Sequence, residues 1–315
     1  MMQTLQLDGI REFILAAQLQ SFTAAALQLG VTSSAVGKSV SRLEKRLGIK
    51  LLHRTTRKLS LSSEGEIYLA TCLRVMEDLQ QTEGSLTTGH VEPRGRLRID
   101  LPAAFGRRHI APVIIELART HSQLDLAMTF GERTVDLVAE GIDLAVRIGE
   151  LNDDPDLVAR RLGDQYLVIC AAPDYLRSHP PVRDKADLLQ HDCIIAWRKG
   201  LRASWLLQGP DGVEQQEIRV RHEFGDGEMM LKATLEGRGL CQLPTWLVRD
   251  HLDSGELKTV LDDYAGARMP IHVIWPKTRY IQPKVRRVID ELLRMKELQA
   301  PLFESWGGVG QSGEG

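Results

Sequence analysis

Apolar and polar positions near the start of the chain follow the spacing of two short helices. In SFTAAALQLGVTSSAVGKSVSRLEKRL the first helix should end at Gly30, which relieves a tight turn, and Thr32 is a suitable N-cap for the second. The apolar residues of the second helix recur at helical spacing, so they should face the core. These residues are Val36, Val40, Leu43 and Leu47. The pattern predicts a helix-turn-helix.

The other face of the second helix is polar and basic. Ser34, Lys38 and Arg42 stand at positions i, i+4 and i+8, which places them on one stripe. Short hydroxyl side chains and Gly37 let DNA approach the helix backbone, and long cationic side chains reach phosphates or guanine edges. The stripe predicts a helix that lies in the major groove. An ordinary solvated helix face is the alternative.

Short alternating segments follow the helix-turn-helix. In LLHRTTRKLSLSSEG, Arg54, Arg57 and Lys58 surround a threonine-rich turn, and Leu59 and Leu61 alternate with serines. This pattern predicts a winged hairpin.

Charge is distributed unevenly along the chain. Residues 1–62 contain nine Lys or Arg and three Asp or Glu, a formal charge of +6, whereas the whole chain carries −2. The remaining residues therefore carry −8. A basic head on an acidic body is typical of a nucleic-acid-binding protein. A basic head that serves only solubility is the alternative.

One contiguous stretch resembles a known family. The residues LDGIREFILAAQLQSFTAAALQLGVTSSAVGKSVSRLEKRLGIKLLHRTTRKLSLSSEG strongly resemble the winged helix-turn-helix of the LysR-type transcriptional regulators, and the rest of the chain follows the layout of that family more weakly. The family often has Gln where Ser33 stands and Ser where Gly37 stands, so base preference cannot be carried over. The candidate DNA-binding residues are Thr32, Ser33, Ser34, Ala35, Gly37, Lys38, Arg42, Arg54, Thr55 and Arg57.

A long helix should follow the wing. Ser62 or Ser63 can cap it, and it should reach about Leu86, before the breaking sequence TTGHVEPRG. Its apolar residues are spaced 3, 4 and 3 apart, which is a short coiled-coil seam that requires a partner helix. Burial against the chain's own domain is an equally good alternative. The resemblance implies that two such helices pair to form a dimer. The seam residues are Leu69, Cys72, Met76 and Leu79.

From Gly95 onward, strand-like and helix-like segments alternate, which predicts a mostly parallel α/β sheet. The predicted strands are RLRIDL, LDLAMTF, DLAVRIG, YLVICAA, CIIAW, IRVRHEF, GLCQLP and MPIHVIWP, and the predicted helices are RRHIAPVIIELARTH, RTVDLVAEG, GEMMLKATLEG, PTWLVRDHLDSG and PKVRRVIDELLRMKEL.

The resemblance implies that this part is an effector-binding domain of two α/β lobes, hinged like a periplasmic solute-binding protein. The chain should cross to the second lobe near Gly163 and return near Ala267, and a small ligand should bind in the cleft. The expected divisions are a DNA-binding domain (1–62), a linker and dimerisation helix (63–90), an effector-binding domain (91–304) with lobe I at about 95–163 and 267–300 and lobe II at about 164–266, and a disordered glycine-rich tail (305–315).

Cleft residues can be placed approximately. Free backbone N–H groups around residues 103–106 should hold an anion, unless this is an ordinary strand-to-helix turn. Arg147 should neutralise a carboxylate or form an exposed strand-end salt bridge, and Asp226 should lie at the cleft or act as an N-cap. Trp197 and Phe224 should supply apolar walls. The candidate effector-binding residues are Ala103, Ala104, Phe105, Arg147, Ile148, Gly149, Trp197, Phe224, Asp226 and Pro244.

The four cysteines are far apart in sequence and form no CxxC or Cys/His cluster, so we expect neither a metal site nor a cofactor. Three of them lie in apolar, strand-like runs and should be inert, and a thiol that senses oxidants is the alternative. The N-terminus has no continuous apolar signal region, and no apolar run approaches the roughly twenty residues that span a bilayer, so we expect a cytoplasmic protein without membrane contact.

The combined expectation is a sequence-specific transcriptional regulator that is not an enzyme, since GxSxG, HExxH and GxxxxGK[ST] motifs are missing. Its expected partners are double-stranded DNA with a promoter dyad, a small effector, further copies of itself in a homodimer or tetramer, and RNA polymerase. The alternatives are a non-specific architectural DNA-binding protein and a redox-responsive regulator. A solute-binding protein is disfavoured because it needs a signal peptide and no basic head.

Overall fold

The computed structural model describes residues 7–54, 59–88, 92–196 and 204–298. The chain divides into two compact units, Met1–Val91 and Glu92–Gly315, and each is described by itself.

Three helices, a small hairpin and a long helix make up the N-terminal unit. Thr32 caps the third helix as predicted, because its hydroxyl accepts a hydrogen bond from the Ala35 N–H, and Ser21 caps the second helix by accepting one from the Ala24 N–H. The elements are α1 (Ile10–Leu19), α2 (Phe22–Leu29), α3 (Ser33–Leu47), β1 (Leu52–Arg54), β2 (Leu59–Leu61) and α4 (Ser63–Thr88).

The predicted helix-turn-helix is confirmed, and its core contains Val36, Val40 and Leu43, which are fully buried. Leu47 was expected in this core, and that expectation is wrong because its exposed fraction is 36%. Leu47 lies in the last turn of α3, beside Gly48, where the backbone turns into the left-handed region and the helix ends.

The hairpin pairs β1 with β2 in antiparallel register, with Leu52 opposite Leu61. The linker helix α4 is capped by Ser62, whose Oγ accepts a hydrogen bond from the Gly65 N–H at 2.9 Å. Along its seam, Leu69 packs against the helix-turn-helix core and Cys72 is buried, whereas Leu79 is exposed. The N-terminal part of the seam, Leu69 and Cys72, is therefore buried within its own unit, as the alternative interpretation states.

The C-terminal unit is built on a mixed sheet of nine strands among the residues described, together with a separate two-stranded hairpin. The strands are β3 (Gly95–Leu101), β4 (Leu124–Phe130), β5 (Leu144–Ile148), β6 (Leu157–Ala171), β7 (Cys193–Ala196), β8 (Ser204–Gly209), β9 (Gly212–Glu217), β10 (Val220–Phe224), β11 (Leu240–Pro244), β12 (Lys258–Val260) and β13 (Ala267–Pro276). The order in the large sheet is β10-β7-β11-β6-β13-β5-β3-β4, with β12 beside β6, and β8 and β9 form the hairpin. The pairs among β3, β4 and β5 and among β7, β10 and β11 are parallel, whereas β6 and β13 run antiparallel to their neighbours.

Helices cover this sheet, and a π-helical turn at Gly106–Ile110 links the first two of them. The helices are α5 (Ala103–Phe105), α6 (Ala111–Thr120), α7 (Pro173–Ser178), α8 (Gly227–Leu235), α9 (Thr245–Asp253) and α10 (Pro283–Leu298), with 3₁₀ turns at Lys185–Gln190 and Asp262–Tyr264.

Two large apolar cores define two lobes. We call lobe I the part around β3, β4, β5, α6 and α10, and lobe II the part around β7, β10, β11, α8 and α9. The long strand β6 belongs to both, because Leu162 packs in the first core and Val168 in the second. A further cluster packs the β8–β9 hairpin against lobe II through Trp205 and Leu207.

Several features differ from the prediction. The sheet is mixed rather than mostly parallel, because β6 and β13 run antiparallel to the strands beside them. The segment RTVDLVAEG forms a single turn rather than a helix, because the Asp136 side chain caps it at the Ala139 N–H and Gly141 closes it with φ +65° only five residues later. The β8–β9 hairpin and β12 were not predicted, since β9 is largely polar and β12 has three residues. Among the described residues, no helix is long and apolar enough to cross a membrane.

Candidate DNA-binding and effector-binding sites

The outer face of α3 is an exposed, basic surface. Lys38, Arg42 and Lys45 are exposed and make no ion pair with any residue that the structure describes. Two residues of this surface, Ser41 and Lys45, were not predicted from the sequence, although each lies seven positions beyond a predicted one, at Ser34 and Lys38. The residues of this surface are Ser34, Ala35, Gly37, Lys38, Ser41, Arg42 and Lys45.

The start of α3 combines capping with open backbone. The Thr32 hydroxyl is occupied by the Ala35 N–H at 3.2 Å, while Ser33 is exposed. A Cβ at Gly37 would meet no heavy atom within 4 Å, so nothing in the described protein shields the helix backbone there. Ser41 donates its hydroxyl to the Gly37 carbonyl at 2.8 Å, which fixes its orientation.

The wing can be described in part. Arg54 is the last residue of β1 and pairs with Leu59 of β2. Thr55 and Arg57, the other two predicted wing contacts, lie outside the described residues.

In lobe I, Arg147 forms a buried ion pair with Asp100. Its Nη1 lies 2.9 Å from Asp100 Oδ2, with side-chain exposures of 15% and 7%, and Thr129 donates to Asp100 Oδ1 at 2.5 Å. The salt-bridge alternative is therefore the observed one, but the pair is buried rather than exposed. Arg147 Nη2 has no hydrogen-bond partner in the described structure.

The predicted anion position at the start of α5 is occupied by a side chain of the protein. The Ala103 N–H donates to Glu132 Oε1 at 3.0 Å, and Ala103, Ala104 and Phe105 are buried. The expectation of free N–H groups fails for Ala103, because Glu132 in the loop after β4 supplies the carboxylate.

Asp226 is the N-cap of α8 and accepts a hydrogen bond from the Met229 N–H at 2.9 Å, as the capping alternative states. It also lies 4.0 Å from Arg107 of lobe I. Glu228 forms shorter ion pairs with the same lobe, at 2.9 Å from Arg107 and 3.5 Å from Arg108. The start of α8 therefore connects the two lobes through charged contacts.

Trp246 of α9 packs against lobe I beside these charges. Its ring centroid lies 5.4 Å from that of Phe105 and 5.0 Å from that of His109, and its Nε1–H donates to Gln165 Oε1 at 3.1 Å. Burial, with the nearby Arg108, lowers the pKa of His109 from 6.5 to about 4. Sequence reasoning missed Trp246, since nothing in its local pattern distinguishes it from a core residue.

Of the remaining predicted residues, Ile148 packs against the first core and Phe224 against the second, and Pro244 ends β11 before α9. Trp197 lies outside the described residues.

A cavity of about 460 Å³ opens beside the strands that join the lobes. Such a volume is suitable for a small molecule. Of the ten predicted effector residues only Gly149 lines it, since the others belong to the packed contacts above or lie beyond the described residues. The residues lining the cavity are Gly149, Glu150, Arg161, Asp164, Leu206, Val213, Arg268, Met269, Pro270 and His272.

The cavity combines apolar and charged groups. Arg161 and Asp164 pair with each other at 2.5 Å, whereas Arg268 makes no ion pair within the described part of the chain. His272 Nδ1 is buried without a hydrogen-bond partner there. Burial and the nearby Arg161 lower the pKa of His272, so its ring is neutral at pH 7.

All four cysteines are reduced and buried. Cys170 and Cys241 stand opposite each other on β6 and β11, but burial raises the pKa of Cys170 to about 12 and that of Cys241 well above its ordinary value. Burial likewise raises the pKa of Cys193 to about 12. Thiols that stay protonated react slowly with oxidants, which opposes the redox alternative. No cluster of metal-binding side chains occurs among the described residues.

Sequence comparison assigns both units. The family described as LysR substrate binding domain matches residues 90–296, and the family described as bacterial regulatory helix-turn-helix protein, lysR family, matches residues 7–66. The chain belongs to the LysR family. It is therefore a DNA-binding transcriptional regulator with an effector-binding domain, and not an enzyme.

Individual LysR-family proteins are similar over most of the chain. The HTH-type transcriptional regulator DmlR of Escherichia coli (strain K12) is 34% identical over 259 residues, 82% of this chain and 84% of DmlR. The HTH-type transcriptional activator TtdR of the same strain is 33% identical over 277 residues, 86% of this chain and 87% of TtdR. The structure of CrgA, a LysR-type transcriptional regulator from Neisseria meningitidis, superposes with a TM-score of 0.58 at 27% identity, covering 93% of this chain and 99% of CrgA.

Proposed function

We propose that this LysR-family regulator binds imperfect dyads in promoters, in the cytoplasm, as a homodimer or as a tetramer of two dimers. In each subunit α3 lies in the major groove and the wing contacts the phosphates beside it. The observation that carries the proposal is the exposed stripe of cations on α3, which form no ion pair with the residues that the structure describes. A two-fold assembly presents two such helices to successive turns of DNA, which matches the symmetry of a dyad.

Each part of the helix has its own role in this proposal. Lys38 and Arg42 reach guanine edges, while Ser34 and Ala35 contact bases near the helix start. Three residues, Thr32, Ser33 and Gly37, let the backbone approach the DNA closely. In the wing, Arg54, Thr55 and Arg57 contact phosphates and carry no base preference.

Self-association is proposed to use α4. Ile67, Val75 and Leu79 of this helix are exposed, and apolar residues on an exposed helix face favour pairing with a second helix. A dimer bound at a promoter lies next to RNA polymerase, and contact with the polymerase is part of the proposal.

The effector is proposed to bind between the lobes, in the cavity beside β6 and β13. Leu206, Val213 and Met269 would cover a small carbon skeleton. Arg268 and the unpartnered His272 Nδ1 would receive an anionic or polar group, such as a carboxylate. Gly149 lines this cavity, and Arg147 belongs to the proposal through its unpartnered Nη2.

The effector acts, in this proposal, by favouring one arrangement of the lobes and thereby the spacing of the paired DNA-binding heads. A ligand shifts such an equilibrium only by its difference in affinity for the two arrangements. The other predicted cleft residues would respond to the bound effector through the contacts between the lobes. These residues are Ala103, Ala104, Phe105, Ile148, Phe224, Asp226 and Pro244. That Trp197 forms an apolar wall of the cleft stays a prediction.

The test of DNA recognition is in vitro selection of genomic fragments at about physiological salt. The purified protein should enrich a few promoter fragments with an imperfect dyad, and the Lys38→Ala/Arg42→Ala variant should lose this enrichment. Uniform recovery of all fragments by the wild type would instead support the architectural alternative.

The test of the effector site is calorimetry of the full chain with a panel of small carboxylates and their neutral amides. Binding should require the carboxylate and weaken at least tenfold in Arg268→Ala, while Arg160→Ala, on an exposed position of β6, serves as the control. An effector whose binding is equal in both variants would contradict the role given to Arg268.

A further inference from the structure

One acidic residue of the recognition helix α3 is buried. Glu44 has an exposed fraction of 3%, although the residues that follow it on the helix are exposed. A carboxylate is rarely buried unless several partners compensate for the lost hydration. We therefore expect Glu44 to have several hydrogen-bond partners within the protein.

The Glu44 carboxylate binds the backbone that enters the wing. Its Oε1 accepts hydrogen bonds from the Leu51 N–H at 3.0 Å and the Leu52 N–H at 3.2 Å, and its Oε2 lies 3.1 Å from Lys50 Nζ. Burial alone would raise the pKa of Glu44, but the hydrogen bonds from Leu52, Lys50 and Leu51 hold it below its ordinary value. The side chain is therefore a carboxylate at neutral pH.

The hydrogen bonds continue from Leu51 into the linker helix. The Leu51 carbonyl accepts a hydrogen bond from the Ser62 N–H at 3.0 Å, and the Ser62 Oγ donates to the Lys50 carbonyl at 2.6 Å. Space at this junction is minimal, because a Cβ on Gly65 would lie 2.0 Å from the Leu51 carbonyl oxygen. One buried chain of hydrogen bonds thus joins α3, the base of the wing and α4.

Leu52 is both a partner of Glu44 and the first residue of β1, where it pairs with Leu61. Arg54, the first cation of the wing, lies two residues further along the same strand. The position of β1 relative to α3 therefore depends on the two hydrogen bonds accepted by Glu44.

We propose that Glu44 is a positioning residue that holds the base of the wing against the recognition helix, so that α3 meets bases and the wing meets phosphates in one docking geometry. The proposal rests on the proposed role of the wing in phosphate contact. Glu44 touches no DNA and acts through Arg54 and Arg57.

The test measures how DNA affinity depends on salt. Each phosphate contact contributes about −0.9 to the slope of log K against log [salt], so losing the wing should make the slope shallower by up to about 2. In the full chain, Glu44→Ala and Glu44→Leu should show this change for both the selected operator and scrambled DNA, and Glu44→Gln, whose Oε1 can still accept both backbone N–H groups, should show less of it. The ratio of the two affinities should be largely retained, because α3 still reads the bases.

Two comparisons make the test specific. Glu66→Gln removes one negative charge from an exposed site of the same unit and should leave the slope unchanged. In a double-mutant cycle, Glu44→Leu should add little to the slope change of Arg54→Ala/Arg57→Ala, because both act on the same contacts. A variant that is merely less stable lowers the active fraction of protein without changing the slope.

Each outcome separates the proposal from its premise. If Arg54→Ala/Arg57→Ala leaves the slope unchanged, the wing does not contact phosphates and the premise fails. If that variant changes the slope and Glu44→Leu does not, or if the two changes simply add, the positioning role of Glu44 is overturned. Leucine is close to glutamate in volume and has no hydrogen-bond acceptor, so Glu44→Leu decides the question even if Glu44→Ala does not fold.

Discussion

At the scale of single residues, Lys38 and Arg42 stand out because they are exposed on the recognition helix without an acidic partner in the described structure. Their charge is therefore available to a ligand outside the chain. Arg46, on the same helix, differs because its Nη2 donates to the Asp8 carbonyl at 3.2 Å.

Replacing either residue by alanine should weaken operator binding by about 1–3 kcal/mol, roughly 5- to 150-fold in Kd, because each substitution removes the contact to a guanine edge that we propose. Fluorescence anisotropy with operator and scrambled duplexes measures this loss. Arg46→Ala is the control and should change Kd much less. A loss that is equal on both duplexes would assign Lys38 or Arg42 to phosphates instead.

His109 has a different consequence, for stability. Its pKa is lowered from 6.5 to about 4, so between these pH values the unfolded chain binds a proton that the folded chain does not. The contribution of neutral His109 to the free energy of unfolding should therefore be present above pH 6.5 and lost as the pH falls toward 4. For His109 alone, these two pKa values correspond to a loss of at most about 2 kcal/mol in the free energy of unfolding between pH 7 and pH 5.

Urea unfolding of the wild type and His109→Gln at both pH values measures this contribution. The decrease in the free energy of unfolding from pH 7 to pH 5 should be smaller in the variant by about 1–2 kcal/mol. An identical decrease in both proteins would show that His109 is protonated equally in the folded and unfolded states.

Residue types could be predicted from the sequence more easily than their partners. The stripe of Ser34, Lys38 and Arg42 follows from helical spacing alone, and the structure brings these residues together. Arg147 and Asp226 were also singled out, but their partners Asp100 and Arg107 lie on segments distant in sequence. Helical and strand periodicity contains no information about such pairs.

At the scale of elements, the prediction worked where caps and periodicity agree, as in α2, α3 and α8. It was wrong for residues 133–141, where a cap and a closing glycine leave room for one turn only. The sequence did not predict the residues that line the cavity, because local periodicity does not show which distant segments meet. Its walls come from the β8–β9 hairpin and from β13, which meet only after the chain has folded.

Two glycines in helices show how packing reverses an intrinsic preference. Alanine is more favourable than glycine in a helix by about 1 kcal/mol. Gly37→Ala should therefore stabilise the protein by about 0.5–1 kcal/mol, since a Cβ there meets nothing within 4 Å. Gly65→Ala should destabilise it by about 1–3 kcal/mol, because the Cβ would overlap the Leu51 carbonyl oxygen.

Thermal unfolding of the full chain, followed by circular dichroism, compares the two variants. The melting temperature of the N-terminal unit should rise for Gly37→Ala and fall for Gly65→Ala. Shifts of the same sign in both variants would mean that helix propensity, rather than the junction at Leu51, controls the result.

At the scale of the C-terminal unit, the lobes are joined by an aromatic contact and by the cluster of Arg107, Arg108 and Glu228. Exposed ion pairs contribute about 1 kcal/mol or less. Glu228→Gln should therefore permit faster opening between the lobes without unfolding either of them.

Hydrogen exchange measures this opening at residues 103–110 and 226–235. Amides there should exchange roughly 2- to 5-fold faster in Glu228→Gln, which corresponds to the loss of up to about 1 kcal/mol. Glu236→Gln also breaks an ion pair of α8, the one with Lys232, and serves as the control. Equal exchange in wild type and Glu228→Gln would show that the ion pairs of Glu228 do not limit the opening between the lobes.

The positions of the cysteines allow local unfolding to be measured by thiol labelling, without introducing a probe. Cys72 lies in the N-terminal unit, whereas Cys170, Cys193 and Cys241 all lie in lobe II, and all four are buried. An alkylating reagent can reach each thiol only when its surroundings open. The mass of the labelled peptides over time would therefore report the opening of the DNA-binding unit and of lobe II separately, in one unmodified sample.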